Sequence, residues 1–390
     1  MMRFIAGRLV GALVVLWIIV TLSFFLMRFA PGGPFDADRK LPPNVEANKW
    51  LLFGMGVEVV APVSGTIQAL TPLVLQRETY AAGTALATIA PADGSAPVVV
   101  ALPHEGIVVS LGLDPATAVG TAIEKGARLA VVPKPLHLQY VDAIANYVRL
   151  DFGVTFMSDG TRAVTDELAR ALPVSFQLGA MAMIVALLLG IPAGLLAGLR
   201  QNTWVDWTVM SSAMVGVSVP TMVSGPLLIG LLALGAGLFP VGGWEASDDT
   251  WSTWQYRVLP VFTLALAYVP TIARLTRGGM LEVIRSDWIR TARAKGVSEF
   301  RIVTRHALKG ALLPTVSWLG PGVASIVTGS IVVERIYGIP GLSEYFVTPA
   351  INRDYPMVIG VIVVYSAILV LLNLIVDIAY TALDPRVRVH

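Results

Sequence analysis

The sequence predicts an all-α polytopic membrane protein with a small all-β module set between its first and second spans. Three observations carry that prediction. The 390 residues are 55% hydrophobic and only 14% charged, whereas soluble domains carry about 25% charge, and the mean hydropathy is +0.71. Six long windows contain no Asp, Glu, Lys or Arg. Residues 57–132 instead alternate short Val/Ile-rich runs with Gly, Pro and Asp turns, which is strand patterning. A formal net charge of +2 from 28 basic and 26 acidic residues is too balanced for a nucleic-acid footprint. With no cysteine, disulfides, thiolate metal sites and cysteine nucleophiles are excluded.

A helix needs about 20 apolar residues to cross the hydrocarbon of a bilayer. The six windows are residues 9–27, 171–199, 207–244, 258–273, 310–333 and 355–376. The first ends in Met27-Arg28-Phe29 with no small-residue cleavage pattern beside it, so it reads as an uncleaved anchor rather than a signal peptide. The fourth is short, and Arg274 and Arg277 at its end are placed to extend their heads toward the interface. Taking the N-terminus as cytoplasmic puts residues 1–8, 200–206, 274–309 and the C-terminal tail on one side, and these short segments hold half of the 28 basic residues. The positive-inside rule therefore predicts cytoplasmic N- and C-termini and an extracytoplasmic β module. Pro192, Pro220, Pro226, Pro260, Pro270, Pro314 and Pro321 are positioned to kink or break spans, and the Gly/Ser-rich stretch 320–330 allows close helix approach.

The chain divides into an N-terminal span with the start of the extracytoplasmic region (1–51), the β module (52–135), a linker with short helices (136–170), and a five-span core with a cytoplasmic loop at 276–313 (171–390). The module repeats itself. Pro62-Val63-Ser64-Gly65-Thr66-Ile67 is echoed by Pro103-His104-Glu105-Gly106-Ile107-Val108, and Gly83-Thr84-Ala85-Leu86-Ala87-Thr88-Ile89 by Gly126-Ala127-Arg128-Leu129-Ala130-Val131-Val132. These halves resemble the biotinyl/lipoyl-like barrel-sandwich family. Carriers in that family bear their cofactor on a hairpin lysine; the candidate hairpin Pro91-Ala92-Asp93-Gly94-Ser95 has none, so a non-carrier is expected. Lys125, before Gly126, reads as a solvated turn charge. Six acids and three bases over residues 57–132 suit a solvent-facing domain, either a passive spacer or a surface for another protein.

In the cytoplasmic loop, Ile284, Trp288, Ile289 and Ala292 fall at i, i+4, i+5 and i+8, opposite Arg285, Arg290, Arg293 and Lys295. That spacing predicts a short amphipathic helix. Gly296 permits a bend, and Ser298-Glu299 supplies N-cap chemistry for a second helix bearing Phe300, Val303, Ala307 and Leu308. On the residues alone, a basic surface helix held by anionic lipid and a docking element are both open.

Arg290-Thr291-Ala292-Arg293-Ala294-Lys295-Gly296, followed by Arg305-His306-Ala307-Leu308, resembles the EAA loop of ABC-transporter permeases in its oligopeptide form. Phe29-Ala30-Pro31-Gly32-Gly33-Pro34-Phe35, Leu41-Pro42-Pro43, Asp151-Phe152-Gly153, Leu172-Pro173-Val174-Ser175 and Gln201-Asn202-Thr203 with Trp207 and Met210 are similar to the B-subunit family of those permeases. So are Glu334-Arg335-Ile336-Tyr337-Gly338-Ile339-Pro340-Gly341, Asn352-Arg353-Asp354-Tyr355 and Asp384-Pro385-Arg386. The likeness spans nearly everything outside about residues 52–135, where the family normally has a short helical connection. Arg290 and Thr291 replace the first Glu and Ala of the general pattern, and the proline expected near Lys309 is displaced to Pro314.

The resemblance implies a type I ABC importer permease fold with six transmembrane helices in the cytoplasmic (inner) membrane. It implies a pore shared with a homologous second permease, two cytoplasmic ATPases that bind ATP and Mg, an extracytoplasmic solute-binding protein, and membrane lipid around the spans. Arg290, Thr291, Ala292, Arg293, Ala294, Lys295, Gly296, Arg305, His306 and Leu308 would form the ATPase-coupling loop. Glu334, Arg353 and Asp354 are candidates for an extracytoplasmic gate or mouth, with a solvated loop as the alternative. The chain has no G-x-x-x-x-G-K-[ST], H-E-x-x-H or G-x-S-x-G sequence, and His104, His137, His306 and His390 are scattered. A non-catalytic chain that binds no cofactor or metal itself is therefore expected. Oligopeptides are the first expected substrate class; dipeptides, nickel chelates and opine-like solutes are alternatives. An efflux-system adaptor is disfavoured by six spans and an EAA loop, and an intramembrane hydrolase by the lack of ionisable pairs inside the windows.

Overall fold

The structure, a computed structural model, describes residues 2–29, 42–75, 78–113, 117–158, 161–244 and 250–383. The motif residues 30–41 and 384–386, the end of the C-terminal tail and His390 lie outside them. The chain forms two compact units, one of Met1–Leu22, Leu168–Thr348 and Val361–His390, the other of Ser23–Glu167 and Pro349–Gly360.

The second unit begins within helix α1 (Met2–Phe29) and continues through α2 (Pro43–Leu52), strands β1 (Gly56–Val60), β2 (Gly65–Leu70), β3 (Thr79–Tyr80), β4 (Ala85–Pro91), β5 (Val98–Ala101), β6 (Gly106–Ile107), β7 (Ser110–Leu111), β8 (Ala122–Ile123) and β9 (Arg128–Pro133), and helix α3 (Leu136–Val148). The strands order as β1-β9-β7, β5-β4-β2-β8 and β3-β6, all antiparallel. The two larger sheets share one core: Val59, Leu129, Ala130 and Val132 from the first meet Ile67, Leu86, Ile89 and Val100 from the second. Strand β9 is apolar over four successive residues because both its faces are covered, the other by Ala47, Trp50 and Leu51 of α2 against Val131. The sequence repeat appears as a repeated turn: Gly83 and Gly126 hold φ of +83° and +88°, and the leucines three residues on, Leu86 and Leu129, are both buried. The other echoed pair diverges, since Gly65 opens a six-residue strand and Gly106 only a two-residue one.

The first unit takes in α4 (Val164–Leu199), α5 (Trp204–Ser218), α6 (Thr221–Leu228) with a π-helical extension Ile229–Gly235, α7 (Thr250–Leu266), α8 (Val269–Val283), α9 (Asp287–Ala294), α10 (Glu299–Arg301) with a π-helical turn Ile302–Ala307, α11 (Leu308–Ala311) and α12 (Leu313–Tyr337); α13 (Glu344–Ile351) and α14 (Tyr355–Leu383) close the chain. Among the described residues, three helices are long and apolar enough to cross a membrane, Gly7–Phe29, Val164–Leu199 and Tyr355–Ile375, or up to five segments if each of two bent pairs is one span. The window 207–244 is not one helix. It would be about 57 Å long as one, and it breaks at Pro220 into two arms bent by 103°; the residue before a proline is driven out of the helical region, and Val219 is extended at ψ 112°. The window 258–273 straddles a second, 50° bend between Thr253–Leu266 and Val269–Val283. Pro270 lies in the first turn of α8; the uncharged window is short because Arg257 and Arg274 bound it. Pro192, Pro226, Pro260 and Pro321 stay inside helices.

Close helix approach occurs on α4, at Gly190, Gly194 and Gly198. A Cβ on Gly194 would lie 2.2 Å from the Ala273 carbonyl oxygen and 2.8 Å from Thr276 Cβ, both on α8. One on Gly190 would meet Ile272 Cβ at 2.8 Å, and one on Gly198 Met280 Cβ at 2.9 Å. Residues four apart share a helix face, and small residues at that spacing let two backbones touch.

Candidate functional site

The candidate coupling loop begins where α8 ends. The Ser286 hydroxyl donates to the Val283 carbonyl at 2.6 Å, and Ser286 takes the N-cap position of α9 in extended conformation. Asp287 in the first turn and Arg293 in the last complement the helix dipole. The helix stops on a Schellman turn: Gly296 N–H donates to the Arg293 carbonyl at 2.9 Å and Val297 N–H to the Ala292 carbonyl at 3.2 Å, with Gly296 at φ +75°. Ser298 is the next N-cap, as its position predicts, but its side chain makes no capping hydrogen bond. The second helix is also not regular, since Arg305 and His306 fall in the π-helical turn.

Burial differs from the amphipathic pattern. Ile289, Ile302, Ala307 and Ala311 are fully buried against Met280 and Val283 of α8, with Ile284, Ala292, Val297 and Val303 packed around them. Trp288 is 59% exposed and Phe300 80% exposed, not on the buried side. An eight-residue helix presents one row of side chains to its support, and that row runs through Ile289. Arg290, Thr291, Arg293, Ala294, Lys295, Gly296, Arg305 and His306 are exposed, while Ala292 and Leu308 are half-buried. The loop thus gathers the sequence-predicted basic residues on one open surface. No group of three or more His, Asp or Glu is placed to hold a metal among the described residues.

Arg293 bridges the turn, its Nε and Nη2 donating to the two oxygens of Glu299 at 2.7 and 3.2 Å. That fork holds the Glu299 carboxyl below the usual carboxylate range and raises Arg293 in turn. The sign follows: the brace is present above the ordinary glutamate range and persists as pH falls into it, opening only once Glu299 protonates at its lowered pKa. Glu299→Gln is expected to speed tryptic cleavage after Lys295 by about two- to fivefold, the range of an exposed pair; unchanged cleavage would remove the brace from the turn's support.

Two further bonds tie this region to the α4–α5 connection. Arg285 Nη2 donates to Gln201 Oε1 at 2.7 Å. Arg277 Nε and Nη2 fork onto Asp206 at 2.6 and 2.7 Å, and Asp206 also accepts the Asn202 N–H at 3.0 Å. Arg277 thus supplies the counter-ion that Asp206, only 4% exposed, requires. Sequence reasoning missed this pair because 71 residues separate its partners.

The mouth residues have other surroundings than a solvated loop. Glu334 is fully buried in the last turn of α12 and accepts the Ser343 N–H at 2.9 Å; a Cβ on Gly341 would come within 2.5 Å of its Oε2. Asp354, also fully buried, caps α14: its Oδ1 accepts the Met357 N–H at 3.2 Å, and its Oδ2 accepts the Thr155 hydroxyl. Arg353 is half-buried with φ +57°. Glu334 belongs to the first unit and Arg353 and Asp354 to the second. Each of the two carboxylates accepts a hydrogen bond from nearby backbone. Asp354→Ala is expected to cost about 1–2 kcal/mol of stability through the lost cap, read as a lower unfolding temperature in detergent; an unshifted transition would contradict the capping role.

Residues 190–389, which contain the whole loop, match the family described as binding-protein-dependent transport system inner membrane component. The chain belongs to that family. Among relatives of this permease, the oligopeptide transport system permease protein OppB of Haemophilus influenzae is 36% identical over 388 residues, 100% of each chain. OppB of Escherichia coli has the same identity and coverage. The dipeptide transport system permease protein DppB of Bacillus subtilis is 43% identical over 256 residues, 66% of this permease and 80% of the relative. Among solved structures, an inward-facing MetNI methionine ABC transporter aligns with 56% of the permease and 96% of its own chain at 19% identity, with a TM-score of 0.47. A permease of this family is an inner-membrane translocation component and not an enzyme.

Proposed function

We propose that this chain is the pore-forming permease subunit of an ATP-driven, binding-protein-dependent importer of oligopeptides. The observation that carries this reading is 36% identity over full length with OppB proteins. Dipeptide transport is the second reading, favoured by the 43% identity with DppB over two-thirds of the chain. The chain would work with a homologous second permease, two cytoplasmic ATPases carrying ATP and Mg, and an extracytoplasmic solute-binding protein. Six spans with both termini cytoplasmic are supported by the basic-residue distribution and by the 25-residue helix α12 as the sixth apolar helix. The β module would then be an extracytoplasmic insert of biotinyl/lipoyl-like type, a reading supported by its repeated glycine turns and shared two-sheet core.

The exposed loop 290–308 is read as the element that docks on an ATPase. Its Schellman turn needs the positive φ of Gly296, with open space around it, so Gly296→Val strains the backbone without a clash, by about 1–3 kcal/mol. Peptide uptake in membrane vesicles is expected to fall about tenfold or more while the protein still inserts and the ATPases still hydrolyse ATP; full uptake would reject the loop's role. The broader reading is tested by mild purification of the tagged chain with identification of stoichiometric partners. A second permease and P-loop ATPases are expected, and an outer-membrane channel with a drug pump would overturn it. Uptake of di-, tri- and pentapeptides by that complex separates the two substrate readings.

A further inference from the structure

The first apolar helix ends in a cation that no carboxylate among the described residues pairs with. Arg28, the penultimate residue of α1, has its guanidinium carbon 4.6 Å from the centroid of the Phe24 ring and 5.3 Å from that of Tyr355. Its Nε donates to Gln139 Oε1 at 3.1 Å, and its Nη2 meets only the thioether sulfur of Met55, a weak acceptor, at 3.7 Å. Nη1 is buried with no acceptor among the described residues. Two acids line the same cavity as Arg28: Asp142 pairs with Lys134, and Asp151 accepts the Gly153 N–H at 2.9 Å; neither bonds to Arg28. A desolvated guanidinium with an empty donor and no carboxylate bonded to it among the described residues is unfavourable unless an anion completes it.

Room for that anion exists. Arg28 lines a cavity of about 710 Å³ whose walls include Lys134, Tyr147, Arg149, Phe152 and Phe156, all from this same unit. Burial pushes the Tyr147 hydroxyl up to about 12, against the pull of the Arg28 charge, so at neutral pH it remains an O–H donor. The position on the chain narrows the chemistry. Arg28 closes the apolar stretch Gly7–Phe29, and a basic residue with clustered aromatic rings at the end of a span lies at headgroup depth. Phosphate is the anion of that layer, and guanidinium matches its geometry.

We propose that this cavity binds the phosphate headgroup of an anionic membrane phospholipid, with Arg28 as its principal ligand and Arg149 at the rim. Bound there, the lipid would tie the end of α1 to α3 and to the loop after β9 and α2.

The full-length chain, purified in mild detergent and stripped of lipid, is titrated with dihexanoyl-phosphatidylglycerol, with inorganic phosphate and with triglycine, following thermal unfolding. Phosphatidylglycerol is expected to raise the unfolding temperature saturably and the other two to leave it unchanged. Arg28→Met should weaken the lipid response about tenfold. An equal response in wild type and Arg28→Met overturns the proposal. So does inorganic phosphate matching the lipid, which marks a free-phosphate site, and so does a response to triglycine alone, which marks a peptide-carboxylate site. Should Arg28→Met fail to accumulate, Arg28→Lys keeps the charge and loses the fork; about threefold weaker lipid binding is then expected, and undiminished binding overturns the assignment.

Discussion

Arg277→Met is expected to destabilise the protein by about 3–5 kcal/mol, because it strands a buried carboxylate. Asp206 is 4% exposed, and two of its three hydrogen bonds come from Arg277, with Asn202 supplying the third. Without the guanidinium, Asp206 must either ionise unpaired or take up a proton in a site built for an anion. Thermal unfolding in detergent is the measurement, and the decisive control is the double variant Asp206→Leu with Arg277→Met. Removing both partners leaves no orphaned charge, so the double variant should recover most of the loss. A double variant as unstable as the single one would show that Arg277 acts through its packing rather than its charge.

Gly194→Leu is expected to prevent folding outright. The obstruction is backbone: its Cβ would sit 2.2 Å from the Ala273 carbonyl oxygen and 3.0 Å from the Ala273 carbonyl carbon, and neither can swing aside as a side-chain tip would. The α4–α8 contact would have to open along its length, since Gly190 and Gly198 close it on either side. The cost of a backbone clash exceeds the 1–3 kcal/mol typical of side-chain overpacking, and about tenfold or greater loss of monodisperse protein after extraction is expected. Gly278→Ala, with nothing within 4 Å of the added carbon, should behave as wild type. Normal yield and stability for Gly194→Leu would mean that the two helices are not in backbone contact.

The sequence made some of this legible and hid the rest for identifiable reasons. The apolar windows located the helices, and Gly296 marked the loop's turn, because hydrophobic runs and positive-φ glycines are local signals. The seven prolines named as kink positions looked alike; that Pro220 and Pro270 sit at the breaks while Pro192, Pro226, Pro260 and Pro321 ride inside helices depends on neighbours far along the chain. The Asp206–Arg277 pair spans 71 residues, and charges at window edges read as solvated until a partner is seen. Trp288 and Ile289 are adjacent and both apolar, so an eight-residue pattern could not say which faces inward. The Gly190, Gly194, Gly198 spacing is written in the sequence and lies on the α4 face that meets α8; glycines at a four-residue interval mark such a face as directly as a Gly/Ser-rich run does.

The exposed loop 290–308 is glued, not tethered. Pulling Ile289 out of its socket on α8 would expose a whole isoleucine, at about 1.5–3 kcal/mol, and Ile302 and Ala307 are seated in the same cluster. A displacement applied to the exposed face of α9 therefore meets little slack: it shifts α8 before it loosens the loop. From α8 the load divides between the glycine seam on α4 and the Arg277–Asp206 fork on α5. Stiffness at that hinge, rather than the strength of any single surface contact, sets how much of a stroke delivered to the loop would reach the helices behind it.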